Sequence, residues 1–222
     1  MKLRLPIHRY LDPGQTLGEV LGGFIMALTF TLGARLLTAA GQFETHQLIV
    51  AIVGCNVAWG IIDATLYVLD KLFYRSRHAR FFQALKYVRS EAEALAAVEE
   101  EFGLEEEPLA VYPEDRARLY QSLLALSVRA TPARAGLRRQ DFVSAFIVFI
   151  LVSATALPGV LPLLFFADAN FALHVSNWVL ILLLFLVGYW WGRYTSAPPW
   201  RVGLTATLLG VLMVSVAVAL GG

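Results

Sequence analysis

One cysteine, Cys55, is all the thiol chemistry that this chain of 222 residues holds. A single thiol excludes an internal disulfide, and without a CxxC pair it excludes a thiolate-rich zinc or iron–sulfur site within one chain. Cys55 lies in an apolar stretch and reads as small core packing. Histidine is nearly as scarce: His8, His46, His78 and His174 fall in different segments, and no two have metal-ligand spacing. The chain also lacks a Gly-rich phosphate loop, a nucleophile–base pair and a histidine-rich membrane cluster, so an enzyme is not expected. Its start, MKLRLPIHRYLDPGQ, is polar and has no apolar h-region, so no cleavable signal peptide is expected. Neither sign of charge dominates, with 18 Lys and Arg against 17 Asp and Glu, and the net charge of +1 says nothing about partners. The basic residues sit where membrane orientation and anionic headgroups explain them, without interleaved aromatics on a soluble platform, so no nucleic acid partner is expected.

Apolar sequence, by contrast, is abundant. Hydrophobic residues make up 58% of the chain and the mean hydropathy is +0.62, far more than a soluble domain of this length needs. A window of about 20 apolar residues finds five candidate spans, roughly 17–39, 47–70, 142–166, 172–192 and 202–221. The expected fold class is therefore an all-α integral membrane protein of five transmembrane helices. Its polar helical insertion lies between helices 2 and 3, dividing the chain into residues 1–70, 71–140 and 141–222. The charges give the orientation. Lys2, Arg4 and Arg9, the cluster Lys71, Arg75, Arg77 and Arg80, and Arg138, Arg139, Arg193 and Arg201 all fall on the side of the N-terminus, and only Arg35 falls opposite. The N-terminus and the insertion are thus expected in the cytoplasm and the C-terminus outside, in a bacterial-type inner or plasma membrane with lipid as a partner.

The second span carries an unusual stripe. Asn56, Asp63 and Asp70 recur every seven residues, a spacing that stacks them on one helical face. A carboxylate near the bilayer middle costs roughly 2.5 to 3.5 kcal/mol on insertion scales, so that face should turn inward and serve a function. In the first span Glu19, Met26 and Gly33 form a similar series, and an antiparallel hairpin should bring Glu19 level with Asp70 and Met26 level with Asp63. Small residues at Gly18, Gly22, Gly23, Ala27 and Gly33 let another backbone approach that span closely. Pro158 and Pro162 should kink the third span, while Gly188 with Gly192 and Gly203 with Gly210 look like packing features of the fourth and fifth.

In the insertion, Phe81, Leu85, Val88, Ala92 and Leu95 predict an amphipathic helix over 78–103 that leans on a second helix over 114–131. The acidic run around their connection includes Glu93, Glu99, Glu100, Glu101, Glu105 and Glu106. It is either a solvated helix end or a cytoplasmic carboxylate site for a divalent cation.

The chain resembles the vacuolar iron transporter family. Topology carries the likeness over nearly the whole chain, and three sequence segments sharpen it: Glu19 to Gly33, the Ala58-Trp59-Gly60 region, and Phe146 to Phe165, especially Gly159-Val-Leu-Pro162-Leu-Leu. The chain departs from the family pattern at three places. Met26 stands where the family has an aspartate, Asn56 where it has a glutamate, and Ile62-Asp63-Ala64 where it has a methionine-bearing turn. The resemblance implies a homodimer that exchanges a divalent metal for protons along a two-fold path lined by spans one and two. Asp63, Asp70, Glu19, Met26 and Asn56 would then be the metal-binding residues, Fe(II) or Mn(II) the transported ion, and no cofactor would be tightly bound. The alternative is a non-transporting scaffold of the same fold, whose polar intramembrane residues are structural and whose cytoplasmic helices bind a partner protein.

Overall fold

The computed structural model describes residues 11–39, 44–88, 90–103, 112–129 and 136–220. Among the described residues the helices are α1 (Pro13–Ala39), α2 (Thr45–Leu85), α3 (Glu91–Phe102), α4 (Pro113–Arg129), α5 (Arg139–Ala154), α6 (Leu157–Phe165), α7 (Ala169–Gly192) and α8 (Pro199–Ala219). Among the described residues there is no strand. Among the described residues, five helical stretches are long and apolar enough to span a bilayer: α1, α2, α5 with α6, α7 and α8. The protein is an all-α integral membrane protein. The chain divides into two compact units, one of Met1–Val68 with Arg139–Gly222 and the other of Leu69–Arg138.

In the membrane unit, local chemistry sets the helix ends. Asp12 precedes Pro13 and its Oδ1 accepts from the amides of Gly14 and Gln15 at 2.8 and 3.2 Å, so cap and first-turn proline start α1 together. Asp168 caps α7 in the same way, accepting from the Phe171 amide at 2.6 Å. The third span is two helices. After α5, Thr155 and Ala156 form a turn, and Pro158 cannot donate to the Ala154 carbonyl four residues before it. Helix α6 then runs on as far as Phe165 with Pro162 inside it.

Shape joins the last two spans. A Cβ on Gly188 would stand 2.5 Å from the Cβ of Ala206 and 3.0 Å from the Cα of Gly203, and one on Gly192 would stand 2.7 Å from the Cα of Pro199. With no aqueous driving force between helices in lipid, such close backbone approach supplies the dispersion contact that holds them. Helix α1 closes this core: Phe24, Ala27, Leu28 and Ala34 are buried with Val160 and Leu163 of α6, Leu173, Leu180 and Leu184 of α7, and Val214 of α8.

The second unit departs from the expected helix over 78–103. Helix α2 continues without a break to Leu85, 41 residues in all, or about 60 Å, twice the thickness of a bilayer's hydrocarbon core. A turn at Lys86 and Tyr87 follows, and α3 starts only at Glu91. That interruption resets the helical phase. Leu85 is buried as expected and Phe81, Val88 and Leu95 pack beside it, but Ala92 is exposed, and Ala94 and Val98 take the inner positions against Tyr120 and Leu124 of α4. Gly103 ends α3 in the left-handed conformation, φ 43° and ψ 42°, its amide donating to the Glu99 carbonyl.

Candidate functional site

Along α2, Ile52, Asn56, Gly60 and Tyr67 are buried at steps of four, four and seven residues, while Val50, Val53, Ile61, Ile62 and Leu66 are exposed. The inner face carries the polar groups. Asn56 is fully buried, and its Nδ2 donates to the Gly23 carbonyl of α1 at 3.1 Å and to Thr155 Oγ1 at 2.8 Å. Thr155 Oγ1 in turn donates to the Val152 carbonyl at 2.5 Å. One amide thus ties α1, α2 and the α5–α6 turn together. Gly23 permits it, since a Cβ there would overlap the Thr155 side chain. One turn along α2, a Cβ on Gly60 would stand 2.8 Å from Ser153 Oγ and 2.9 Å from the Phe149 carbonyl, so α2 also lies directly on α5.

Below this joint, Glu19 of α1 and Asp63 of α2 face each other within hydrogen-bonding reach, both half-buried. This corrects the expected register, which set Glu19 against Asp70 and Met26 against Asp63. The Asn56–Gly23 contact fixes how the two helices slide past one another. Glu19, four residues from Gly23, meets Asp63, seven residues from Asn56. Asp70 is exposed and belongs to the other unit, so only two members of the seven-residue stripe face inward. Met26 packs against an apolar cluster of Leu11, Tyr67, Ala145, Val148 and Val152, beside Ala64 and Val68. Two carboxyl groups this close in a membrane interior favour a shared proton or a bound cation, because two bare negative charges would repel in a medium that barely screens them.

The acidic residues of the second unit are arranged differently. Glu93, Glu99 and Glu100 are exposed, whereas Glu101 is bound: its Oε2 lies 2.7 Å from Arg77 Nη2 and its Oε1 lies 3.8 Å from His78 Nε2. Glu105 and Glu106 lie outside the described residues. Among the described residues of one chain, no three His, Cys, Asp or Glu side chains are placed to hold a metal ion together.

Sequence reasoning missed Ser153 and Thr155. Two hydroxyl residues just ahead of Pro158 in an apolar span were the available signal, since hydroxyls often satisfy the backbone that a proline frees.

The family model of the VIT family matches residues 70–222, well over half of the chain. No curated protein matches the chain. The match begins after Asn56 and Asp63, so the inner face of α1 and α2 lies ahead of it.

Proposed function

Because the chain belongs to the VIT family, the vacuolar iron transporter family of membrane metal-ion transporters, we propose that it exports a divalent transition metal, Fe(II) or Mn(II), from the cytoplasm in exchange for protons. The observation that carries the reading is the Glu19–Asp63 pair on the inner faces of two membrane spans. A carboxyl pair in that setting alternates between metal and proton: the cation neutralises both groups, and when it leaves, protons take its place. Oxygen ligands suit Mn(II) and Fe(II), and the Met26 thioether from the same span adds a softer donor.

One chain supplies too few ligands for a closed coordination shell, which favours a homodimer. A second copy laid on the exposed apolar face of α2, at Val50, Ile61 and Leu66, would double the set of carboxyl and thioether groups. The basic residues that flank the spans support a cytoplasmic N-terminus and an outer C-terminus. In that orientation Glu93, Glu99 and Glu100 would gather metal on the cytoplasmic side, while Glu101 stays engaged with Arg77. The scaffold alternative draws on one observation, that Asn56 serves as a buried three-helix joint.

The two readings part at Asp63. In proteoliposomes under an imposed pH gradient, Asp63→Asn should abolish uptake of Fe(II) and Mn(II) while the protein stays folded and inserted. Full uptake by that variant would sink the transporter site, and lost folding without any native uptake would favour the scaffold.

A further inference from the structure

The joint above the carboxyl pair holds oxygens that nothing in the protein satisfies. Asn56 Nδ2 faces the Gly23 carbonyl, which can only accept, so the amide orientation is fixed and Asn56 Oδ1 is the atom left over. It is buried without a hydrogen-bond partner, in a residue with no exposed surface. Ser153 Oγ, in the last turn of α5, is buried and unpartnered as well. Both oxygens line the same short stretch of α2, since Asn56 bonds to Thr155 while Gly60, one turn away, lies against Ser153. Between membrane spans an unpaired polar atom is costly, and a helix interrupted at that depth exposes backbone oxygen beside it.

We propose that Asn56 Oδ1 and Ser153 Oγ form an uncharged oxygen site at the α5–α6 turn that takes a partly hydrated, oxygen-preferring divalent cation of the Mn(II) class. The inference rests on the transport reading and deepens it: the Glu19–Asp63 pair takes the charge, and the neutral site next to it selects the ion by ligand type. Neutral oxygens hold a cation loosely enough to release it, whereas carboxylates alone would bind it tightly. They also discriminate, because softer ions such as Cd(II) gain little from hydroxyl and amide oxygen. The cation keeps water in its remaining positions.

Ser153 gives a clean test because its hydroxyl hydrogen-bonds to nothing in the protein, so removing it breaks no internal hydrogen bond. Mn(II) binding to the purified protein in nanodiscs, followed by electron paramagnetic resonance, should weaken about tenfold in Ser153→Ala with no loss of thermal stability. Ser153→Cys, which swaps oxygen for sulfur at similar size, should raise Cd(II) uptake relative to Mn(II) in proteoliposomes by a similar factor. Native Mn(II) affinity in Ser153→Ala together with an unchanged Cd(II)/Mn(II) ratio in Ser153→Cys would overturn the proposal and leave the oxygens to ordered water. An equal loss for both metals would also overturn it, as the mark of a structural serine. A native protein that binds no Mn(II) at all would instead bring down the transport reading beneath it.

Discussion

Ahead of residue 70, where the family match begins, α1 and α2 are joined by polar groups: the Asn56 amide on the Gly23 carbonyl, and Glu19 against Asp63. In the matched part, α7 and α8 are joined by shape, with Gly188 and Gly192 letting backbone meet backbone. The difference sets two ways of joining membrane helices side by side. Packing between spans depends on many small residues acting together and tolerates little change, because each extra methyl group strikes a neighbouring backbone. A polar site depends on a few side chains, which a relative can exchange for others that hold a different ion or none. Met26, Asn56 and Asp63 all lie ahead of the matched residues, in the part joined by side chains.

Four substitutions can break or sharpen that contrast. The largest effect is expected at Tyr120, a fully buried side chain of the second unit. Tyr120→Ala should cost about 3 to 5 kcal/mol there, read as lost hydrogen-exchange protection in α3 and α4. Next comes Gly188→Val, which forces side-chain atoms into Ala206 and Gly203 and should cost about 1 to 3 kcal/mol, measured by thermal unfolding in detergent. Asn56→Leu should cost only about 1 kcal/mol in the same assay, since it removes two hydrogen bonds but also the unsatisfied Oδ1. Should Asn56→Leu prove more damaging than Gly188→Val, polar joints rather than shape would be the stronger bond in this bundle. The smallest change is expected for Arg77→Ala. Its ion pair with Glu101 is more than half exposed on the arginine side, so the loss should stay within about 1 kcal/mol and fade as salt is added.

The candidate site was only partly legible. Glu19 and Asp63 stood out as carboxyl groups inside apolar runs, but their pairing did not, and Asp70 shared their spacing without sharing their burial. A seven-residue repeat drifts around a straight helix of 3.6 residues per turn, so a stripe of three positions need not face one neighbour throughout. Ser153 and Thr155 were hidden for another reason. Hydroxyl residues in an apolar span carry no periodic signal, and the third span's break gives them meaning only once α2 is set against it.

The sequence by itself determined the class of the protein: five apolar runs long enough to span a bilayer, a polar stretch between the second and third, and helix ends marked by Asp12, Asp168 and Gly103. These follow from hydrophobic length and local backbone chemistry, which each segment carries within itself. Only the tertiary structure decided that Glu19 meets Asp63, that Asn56 bonds α1 to the α5–α6 turn, and that α2 runs on to Leu85. Periodicity gives a helix its faces. The slide and rotation between helices are set by close contacts such as Thr155 on Gly23, between residues distant in the chain, and no single segment holds that information.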